Sequence, residues 1–557
     1  MTIRSRGVWV AGLSAVLGGA VSAEAASITL ESLGVYSTGQ FDESAAEIPA
    51  YDPATQQLYV VNATRGVDVL SLSNPSLPSL LYSLNAPGTN SVAIVDGMVA
   101  LAVQADNKTD NGRVAFYDTA GNALGSASAG ALPDMLTFTP DRRYILTANE
   151  GEPNDDYDVD PVGSVTIVDT SDYSSRQAVF DAFNTPGALD SRVRVFGPGA
   201  TPAQDLEPEY IAVSSDSQTA YVALQENNAI AVVDLASATV TDVLPLGFKD
   251  HSLPGNELDA SNRDDAIRIE SEPVFGMYQP DAISVVEKDG RTFIITANEG
   301  DSRDYDGFSE EARVEDLTLD PTAFPNAATL QLEENLGRLN VTTTLGDTDG
   351  DGDYDELYAY GGRSFSVFEV TENDGGRSLN LVFDSGDQLE QITASLLPDN
   401  FNSTNDENGS FDSRSDDKGP EPEGLTVGQV DGKTYLFVGL ERVGGVMVYD
   451  ITDPTSPAYV SYGNTRNFDV QDVLLEDGSY NLAVGDLGPE GLLFISAEDS
   501  PNGQPLLVVA NEVSGTTRIF AVRSDGSGPS VVPTPSAAAA GLALMAGLLQ
   551  RRRRRNA

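Results

Sequence analysis

The sequence predicts an all-β protein, a seven-bladed β-propeller with long insertions in and after blade 5. Three features of the 557-residue chain point there. A strand-turn-strand unit recurs seven times, the strands are short and separated by Asp, Asn, Gly and Ser turns, and a spare strand stands ahead of the first unit. Repetition of units that cannot bury both faces alone indicates blades around an axis rather than a sandwich.

Two copies define the unit. Glu207-Pro208-Glu209-Tyr210 opens strands at Ile211–Val213, Thr219–Leu224 and Ala229–Leu235. Glu421-Pro422-Glu423-Gly424 opens strands at Leu425–Val430, Thr434–Leu440 and Gly445–Ile451. Five weaker copies begin near Ile48, Ser91, Leu132, Gln279 and Gly488. Blade 5 carries a long excursion after its second strand, Phe293–Ala297, and a further one, from Asp384 to Gly419, precedes blade 6 with a short helix at Gln388–Leu397. Excursions of this length are commonly functional or capping. The segment Ser27–Tyr36 is expected to pair with the last unit and close the ring.

Composition narrows the chemistry. The formal net charge is −53; it disfavours nucleic acid and anionic membranes as partners and favours cations. The absence of cysteine excludes thiol catalysis, disulfides and cysteine–zinc sites. The single histidine, His251, leaves no set of imidazoles for a zinc hydrolase and is expected in a solvated polar loop.

The ends read as addresses. Arg4 and Arg6, the apolar run Gly7–Val21 and Ala23-Glu24-Ala25 make residues 1–25 an expected signal peptide. Residues 26–524 form the propeller domain, 525–536 a linker, and 537–557 a sorting or anchor tail with an apolar stretch, Ala537–Leu549, and five arginines, Arg551 to Arg555. The Val532-Pro533-Thr534-Pro535-Ser536 start resembles PEP-CTERM sorting signals, with Thr534 where glutamate is usual. Cutting after residue 25 and before 533 removes seven arginines and one glutamate, leaving 25 basic against 84 acidic residues, a net −59. The expected location is secreted or cell-surface, touching membrane only through the tail.

Two kinds of acidic site follow. Asp347, Asp349, Asp351 and Asp355 stand at positions 1, 3, 5 and 9 of a loop with Gly352 at 6 and the Asp353 carbonyl at 7, a compact oxygen shell that suits calcium. Position 12 is Tyr358 and the flanks read as strands, so the loop resembles the calcium hairpins of integrin propellers rather than an EF-hand. Its expected role is to staple blade 5. The second kind comes from the repeat. Acids after proline begin inner strands (Asp134, Glu209, Asp281, Glu423, Glu490), and acids end second strands (Glu150, Glu226, Glu299, Glu441, Glu512). In an antiparallel hairpin those ends are neighbours, so all are expected at one end of the axis. They either bind a second metal, divalent or trivalent, or a ligand, or they cap turns. Arg303, Arg363, Arg414, Lys418 and Arg442 are the candidate counter-charges.

Long motifs carry a family resemblance over residues 30 to 522. Leu146-Thr-Ala-Asn-Glu-Gly-Glu-Pro-Asn-Asp-Asp-Tyr157, Gly247-Phe-Lys-Asp-His-Ser-Leu-Pro-Gly-Asn256, Thr296-Ala-Asn-Glu-Gly-Asp-Ser-Arg-Asp-Tyr305, Phe411-Asp-Ser-Arg-Ser-Asp-Asp-Lys-Gly-Pro-Glu-Pro-Glu-Gly424 and Leu507-Val-Val-Ala-Asn-Glu-Val513 resemble the choice-of-anchor I family. The resemblance implies an exported propeller with a separate C-terminal anchor, related to an atypical cyanobacterial alkaline phosphatase and to animal mesenchyme-specific surface glycoproteins. Two functions stay open. One is metal-dependent hydrolysis of phosphoesters, with Arg303 or Arg414 holding phosphate oxygens and Ser302 a weak candidate nucleophile. The other is a non-catalytic propeller that binds surface or matrix glycans or proteins.

Overall fold

The computed structural model describes residues 27–373 and 376–525. The expected signal peptide (1–25), the linker beyond Asp525 and the tail lie outside the described residues. The chain forms a β-propeller. Seven four-stranded antiparallel sheets follow in order, and their inner strands are Pro49–Asp52, Thr89–Val95, Pro133–Phe138, Ile211–Val213, Ile283–Lys288, Pro422–Val430 and Pro489–Ile495. Each inner strand touches the next, and the last touches the first. The spare strand Ser27–Ser37 pairs with Thr516–Asp525 and completes the final sheet, joining the two ends of the domain.

Second strands such as Gln57–Asn62, Tyr144–Asn149 and Leu506–Asn511 are buried almost throughout. They are covered on both faces by neighbouring blades, which is why they read as continuous apolar runs. A separate apolar cluster fills each sheet-to-sheet interface. Tyr59 and Val61 of the first sheet, for example, pack against Val99 and Leu101 of the second, and Leu58 and Val60 pack against Leu506 and Val508 of the seventh.

The excursions build one structure. A five-stranded sheet draws Phe248–Asp250 and Phe275–Met277 from the connection between the fourth and fifth blades. It draws Glu311–Arg313, Asn340–Thr342 and Tyr358–Ala359 from within blade 5. It has its own core, including Leu258, Val314, Phe324, Leu336 and Leu357. The second excursion supplies the helix Gln388–Leu396.

Candidate metal centre

A recurring backbone device brings acids to one end of the axis. Ahead of four inner strands stands a residue in the left-handed region: Leu132 (φ 47°), Gln279 (φ 41°), Glu421 (φ 49°) and Gly488 (φ 67°). The carbonyl of each accepts a hydrogen bond from the end of its second strand. The donors are Glu150 N–H at 3.0 Å, Gly300 N–H at 3.1 Å, Glu441 N–H at 2.9 Å and Glu512 N–H at 2.8 Å. Proline follows, where the ladder needs no donor, and then the acid. Bulges between Pro133 and Leu136, Pro422 and Leu425, and Pro489 and Leu492 free Asp134, Glu423 and Glu490 from the ladder and re-aim them. Glycine after the acid admits the next blade: a Cβ on Gly424 would stand 1.7 Å from Glu490 O, and one on Gly491 2.4 Å from Glu47 O.

The acids meet at a cavity of about 270 Å³ walled by Glu47, Asp134, Glu150, Asp281 and Glu490. It adjoins an axial channel of about 620 Å³ along the inner strands, with Tyr210 lining both. Glu209 and Glu423 join the same group through the electrostatic influence of their neighbours. Among the described residues, none of these seven acids has an ion-pair partner. Burial, then Glu299 and Asp134, pushes Asp281 up to about 8. Burial, then Glu152, pushes Asp134 up to about 7. Glu150, Glu209, Glu423 and Glu490 are held well above the usual carboxylate range, by burial first and neighbouring acids second. Each keeps part of its surface free; for Asp134, Glu150, Asp281 and Glu490 that surface faces the cavity.

The adjoining group, beside Asp281 and Glu423, is neutralised. Lys418 Nζ lies 2.6 Å from Glu299 and 3.1 Å from Glu421, and Arg442 reaches Glu421 at 2.9 Å and Glu441 at 3.0 Å. Arg414 adds a third cation to Glu421 at 2.7 Å. Burial would raise the Glu421 carboxyl, but the three cations outweigh it and hold it far below the ordinary range. Oxygens of Glu299, Glu421 and Glu441 lie within 4.8 Å of one another, a metal-sized spacing already occupied by cationic side chains.

The aspartate loop joins Asn340–Thr342 to Tyr358–Ala359, in the inserted sheet rather than in the blade itself. Oxygens of Asp347, Asp349 and Asp355 lie within 4.8 Å of one another, and so do those of Asp320, Asp353 and Asp355. Asp320 is a member that the linear motif misses. It arrives because Asp320 N–H bonds Tyr354 O at 2.9 Å. Asp351 joins neither group and instead accepts from the Asp353 amide at 3.2 Å. Gly350 and Gly352 take the left-handed conformation (φ 78° and 96°) that the wrap of the loop requires. An all-oxygen donor set of this spacing fits a hard divalent cation.

Several sequence expectations need correcting. Arg303 is 1% exposed, bonded to Asp205 at 2.6 Å, paired with Glu207 at 3.0 Å and stacked on Phe196; it cannot reach a substrate phosphate. Arg414 is committed to Glu421 and Asp417. Arg363 points away from the axis to Glu390. The Ser302 hydroxyl donates to Glu311 at 2.6 Å on the exposed side, outside the axial cavity. His251 is buried, not solvated: Nδ1 lies 2.6 Å from Asn256 O, and burial holds the imidazole well below its ordinary value. Glu47, Glu207 and Glu421 also belong to the acids gathered at this end of the axis, and the sequence reading left them out. A pattern was available for two of them: in both Glu-Pro-Glu motifs the first glutamate takes arginine partners and the second has no ion pair.

A family model for the choice-of-anchor I domain matches residues 47–454. The chain belongs to the choice-of-anchor I family. That match spans the first blade to the sixth and both excursions, so the acidic axis is largely built from choice-of-anchor I sequence. Gigasin-3a of Magallana gigas is 34% identical over 202 residues, covering 35% of this chain and 67% of that protein. The mesenchyme-specific cell surface glycoprotein of Strongylocentrotus purpuratus is 31% identical over 333 residues, covering 52% and 42%, so this choice-of-anchor I chain spans less than half of that relative. Among solved structures, the β-propeller domain of Myceliophteria_thermophila Cps50 (Swd1) is similar at TM-score 0.42 and 8% identity, covering 89% of this chain and all of that one. Kuenenia stuttgartiensis hydrazine synthase is similar at TM-score 0.43 and 13% identity, covering 88% and all of that chain.

Proposed function

We propose that this chain is a secreted or surface-displayed propeller that binds calcium at the Asp347–Asp355 loop and a further divalent or trivalent cation at the axial acids. The observation that carries the axial part is the set of half-buried carboxylates, Asp134, Glu150, Asp281 and Glu490, that line a cavity of about 270 Å³ and, with Glu209 and Glu423 in the same group, have no cationic partner among the described residues. At about 5 Å and an effective dielectric near 20, each like-charge contact costs about 3 kcal/mol, and a bound cation removes several such contacts together. The unbonded buried oxygens of Glu209 and Glu423 support a ligand rather than a turn-capping role. The surface location rests on the family and on a relative named as a cell surface glycoprotein. Ligands reached by such a propeller would be surface or matrix glycans or proteins.

The test is metal content by mass spectrometry after desalting. Wild type is expected to retain an axial equivalent that Glu423→Gln/Glu490→Gln loses with its fold intact. Equal metal in both proteins sinks the axial reading. A second reading, phosphoester hydrolysis, draws support from Lys418 and Arg442, which place positive charge beside the acidic axis. There a bound cation would polarise phosphate oxygens, and Lys418 and Arg442 would orient them only by exchanging Glu299, Glu421 and Glu441 for phosphate. Turnover of p-nitrophenyl phosphate with calcium and not with chelator would support it; no turnover of mono- or diesters in either removes it.

A further inference from the structure

Buried side-chain oxygens without a hydrogen-bond donor fall mainly in two places. One is the axis. The other lies beside the core of the inserted sheet, where Asn262 Oδ1, Asp264 Oδ2, Asn402 Oδ1 and Asp412 Oδ2 are all unbonded. Asn402 is 0% and Asp412 3% exposed. Buried acceptors in folded proteins nearly always have a partner, so three with none, together with an Asp264 oxygen that has only an ion pair to Arg268 at 3.3 Å, call for water or an ion.

Hydrogen bonds tie Asn402 and Asp412 to Glu390 and Asp259, and Asp264 is close enough to act electrostatically on Asp412. Asn402 donates its amide hydrogens to Glu390 Oε1 and Ser415 Oγ, both at 2.9 Å, which turns Oδ1 the other way. The Ser415 hydroxyl donates to Asp412 Oδ1 at 2.6 Å and leaves Oδ2 free. Asp412 N–H to Phe401 O at 2.8 Å and Arg414 N–H to Asn402 O at 2.9 Å hold the two stretches side by side. From the opposite direction Asp259 N–H donates to Glu390 Oε2 at 3.2 Å. The Asp259 carboxylate accepts from Ser261 and Arg268 amides at 3.4 and 2.6 Å, closing the turn that contains Asn262 and Asp264.

Charge at this place is out of balance. Asp259, Asp264, Glu390 and Asp412 face two guanidiniums: Arg363, 2.8 Å from Glu390, and Arg268, 3.3 Å from Asp264 in ion-pair but not hydrogen-bond geometry. With all four carboxyls ionised they outnumber the guanidiniums by two; without an ion, burial favours protonation instead and pushes Asp259 up to about 7. Burial, with Asp259 and Asp264 adding to it, pushes the Asp412 carboxyl up to about 8 although the Ser415 hydroxyl pulls it down. The available donors are all oxygen, which selects a hard ion.

We infer that the turn Asp259–Asp264 and the stretch Asn402–Asp412 together hold one divalent cation of the calcium class, ligated by the free oxygens of Asn262, Asp264, Asn402 and Asp412. The ion cancels that excess and gives each orphaned oxygen a partner. It also has a structural consequence at the axis. Two residues beyond Asp412 the chain presents Arg414 and then Lys418, the cations that neutralise Glu421 and Glu299. The ion anchors the strap that carries them.

The probe is Ca²⁺ alone, added to the full chain after exhaustive chelation, with bound calcium counted by mass spectrometry after desalting and thermal unfolding followed with and without calcium. Asp412→Asn keeps the acceptor for Ser415 while removing the charge. It should lose one calcium equivalent and part of the calcium-induced rise in Tm, yet be at least as stable as wild type in chelator. Asp349→Ala should lose a different equivalent, and the double variant both. Should Asp412→Asn fail to fold, Asn262→Ala on the opposite segment is read the same way. A folded variant with wild-type calcium content overturns the inference, as does one destabilised equally with calcium and with chelator. Glu423→Gln/Glu490→Gln reports on the axial equivalent separately, so either site can fail alone.

Discussion

Asp281→Asn isolates the electrostatic cost of the axial acids. The ordinary Asp281 carboxyl titrates near 3.8 and the folded chain pushes it up to about 8, burial first and Glu299 next. Its folded value lies above its unfolded value. The stability it contributes is therefore complete below pH 3.8 and is lost as pH rises towards 8. A rise of roughly four units corresponds to about 5 kcal/mol at most, shared with the neighbouring acids it couples to. Pairwise repulsion gives a similar scale, about 3 kcal/mol for each neighbour near 5 Å. Asparagine has the same shape and no charge. In chelator at pH 8, Asp281→Asn should unfold at a higher temperature than wild type, by up to about 5 °C at about 1 °C per kcal/mol for a chain of this length. At pH 5 the gap should shrink to about 2 kcal/mol or less. In millimolar calcium the sign should reverse, because the variant has lost a ligand. Differential scanning calorimetry across pH 5 to 8, with and without chelator, reads all three. A variant destabilised by the same amount at every pH would mean that Asp281 caps the backbone, and the electrostatic reasoning would be refuted.

Other outcomes follow from the same geometry. Asp349→Ala should lower Tm in calcium and leave it unchanged in chelator; equal losses in both remove the loop site. Asp320→Asn, which keeps an acceptor for the Thr322 and Ala323 amides, should behave alike, because the Asp320 oxygens cluster with those of Asp353 and Asp355, and a calcium response identical to wild type would exclude it as a ligand. Arg303→Met leaves Asp205 and Glu207 buried without their cation and should cost about 3–5 kcal/mol in denaturant unfolding; a loss under about 1 kcal/mol would show the pair to be dispensable. Gly424→Ala drives a methyl into the Glu490 carbonyl and should cost about 3 kcal/mol, with metal content falling alongside.

The repeat was legible because its most constrained parts carry chemical marks. Second strands lie between two blades and must be apolar on both faces, and the Pro-acid openers sit at bulges. The fourth strand of each blade carries no such mark: Ala123–Ala131 is largely exposed at its start and rich in Ser, Gly and Ala, so the sequence offers little to pack and little to read. The inserted sheet was hidden for another reason. Its strands of two or three residues come from separate stretches, and the parallel pairing of Phe275 and Gly276 with Tyr358 and Ala359 joins segments about eighty positions apart. Arg303 was misplaced by the same blindness, since an Asp205 partner 98 residues away leaves no local trace in the sequence, and so was His251, which packs against Gly276 of the inserted sheet.

The distribution of charge within the axial acids is itself informative. Were these carboxylates only turn caps, each would be satisfied locally and opposite charges would be unnecessary. Instead Glu421 gathers Arg414, Lys418 and Arg442, while Glu423, two residues on, has no ion pair among the described residues. Burying a lone carboxylate is expensive, and relieving it with a permanent arginine is the simpler solution, as the Glu421 sector demonstrates. The chain applies that solution to Glu421 and its neighbours and withholds it from the acids beside them. A fixed guanidinium would occupy the cavity that an exchangeable cation needs, so under the proposed function the asymmetry separates a permanently neutralised support from a face open to a ligand. Installing an arginine there, as in Glu490→Arg, should therefore raise stability in chelator and abolish the axial metal equivalent together; a variant that gained stability yet kept its metal would break the link between the two.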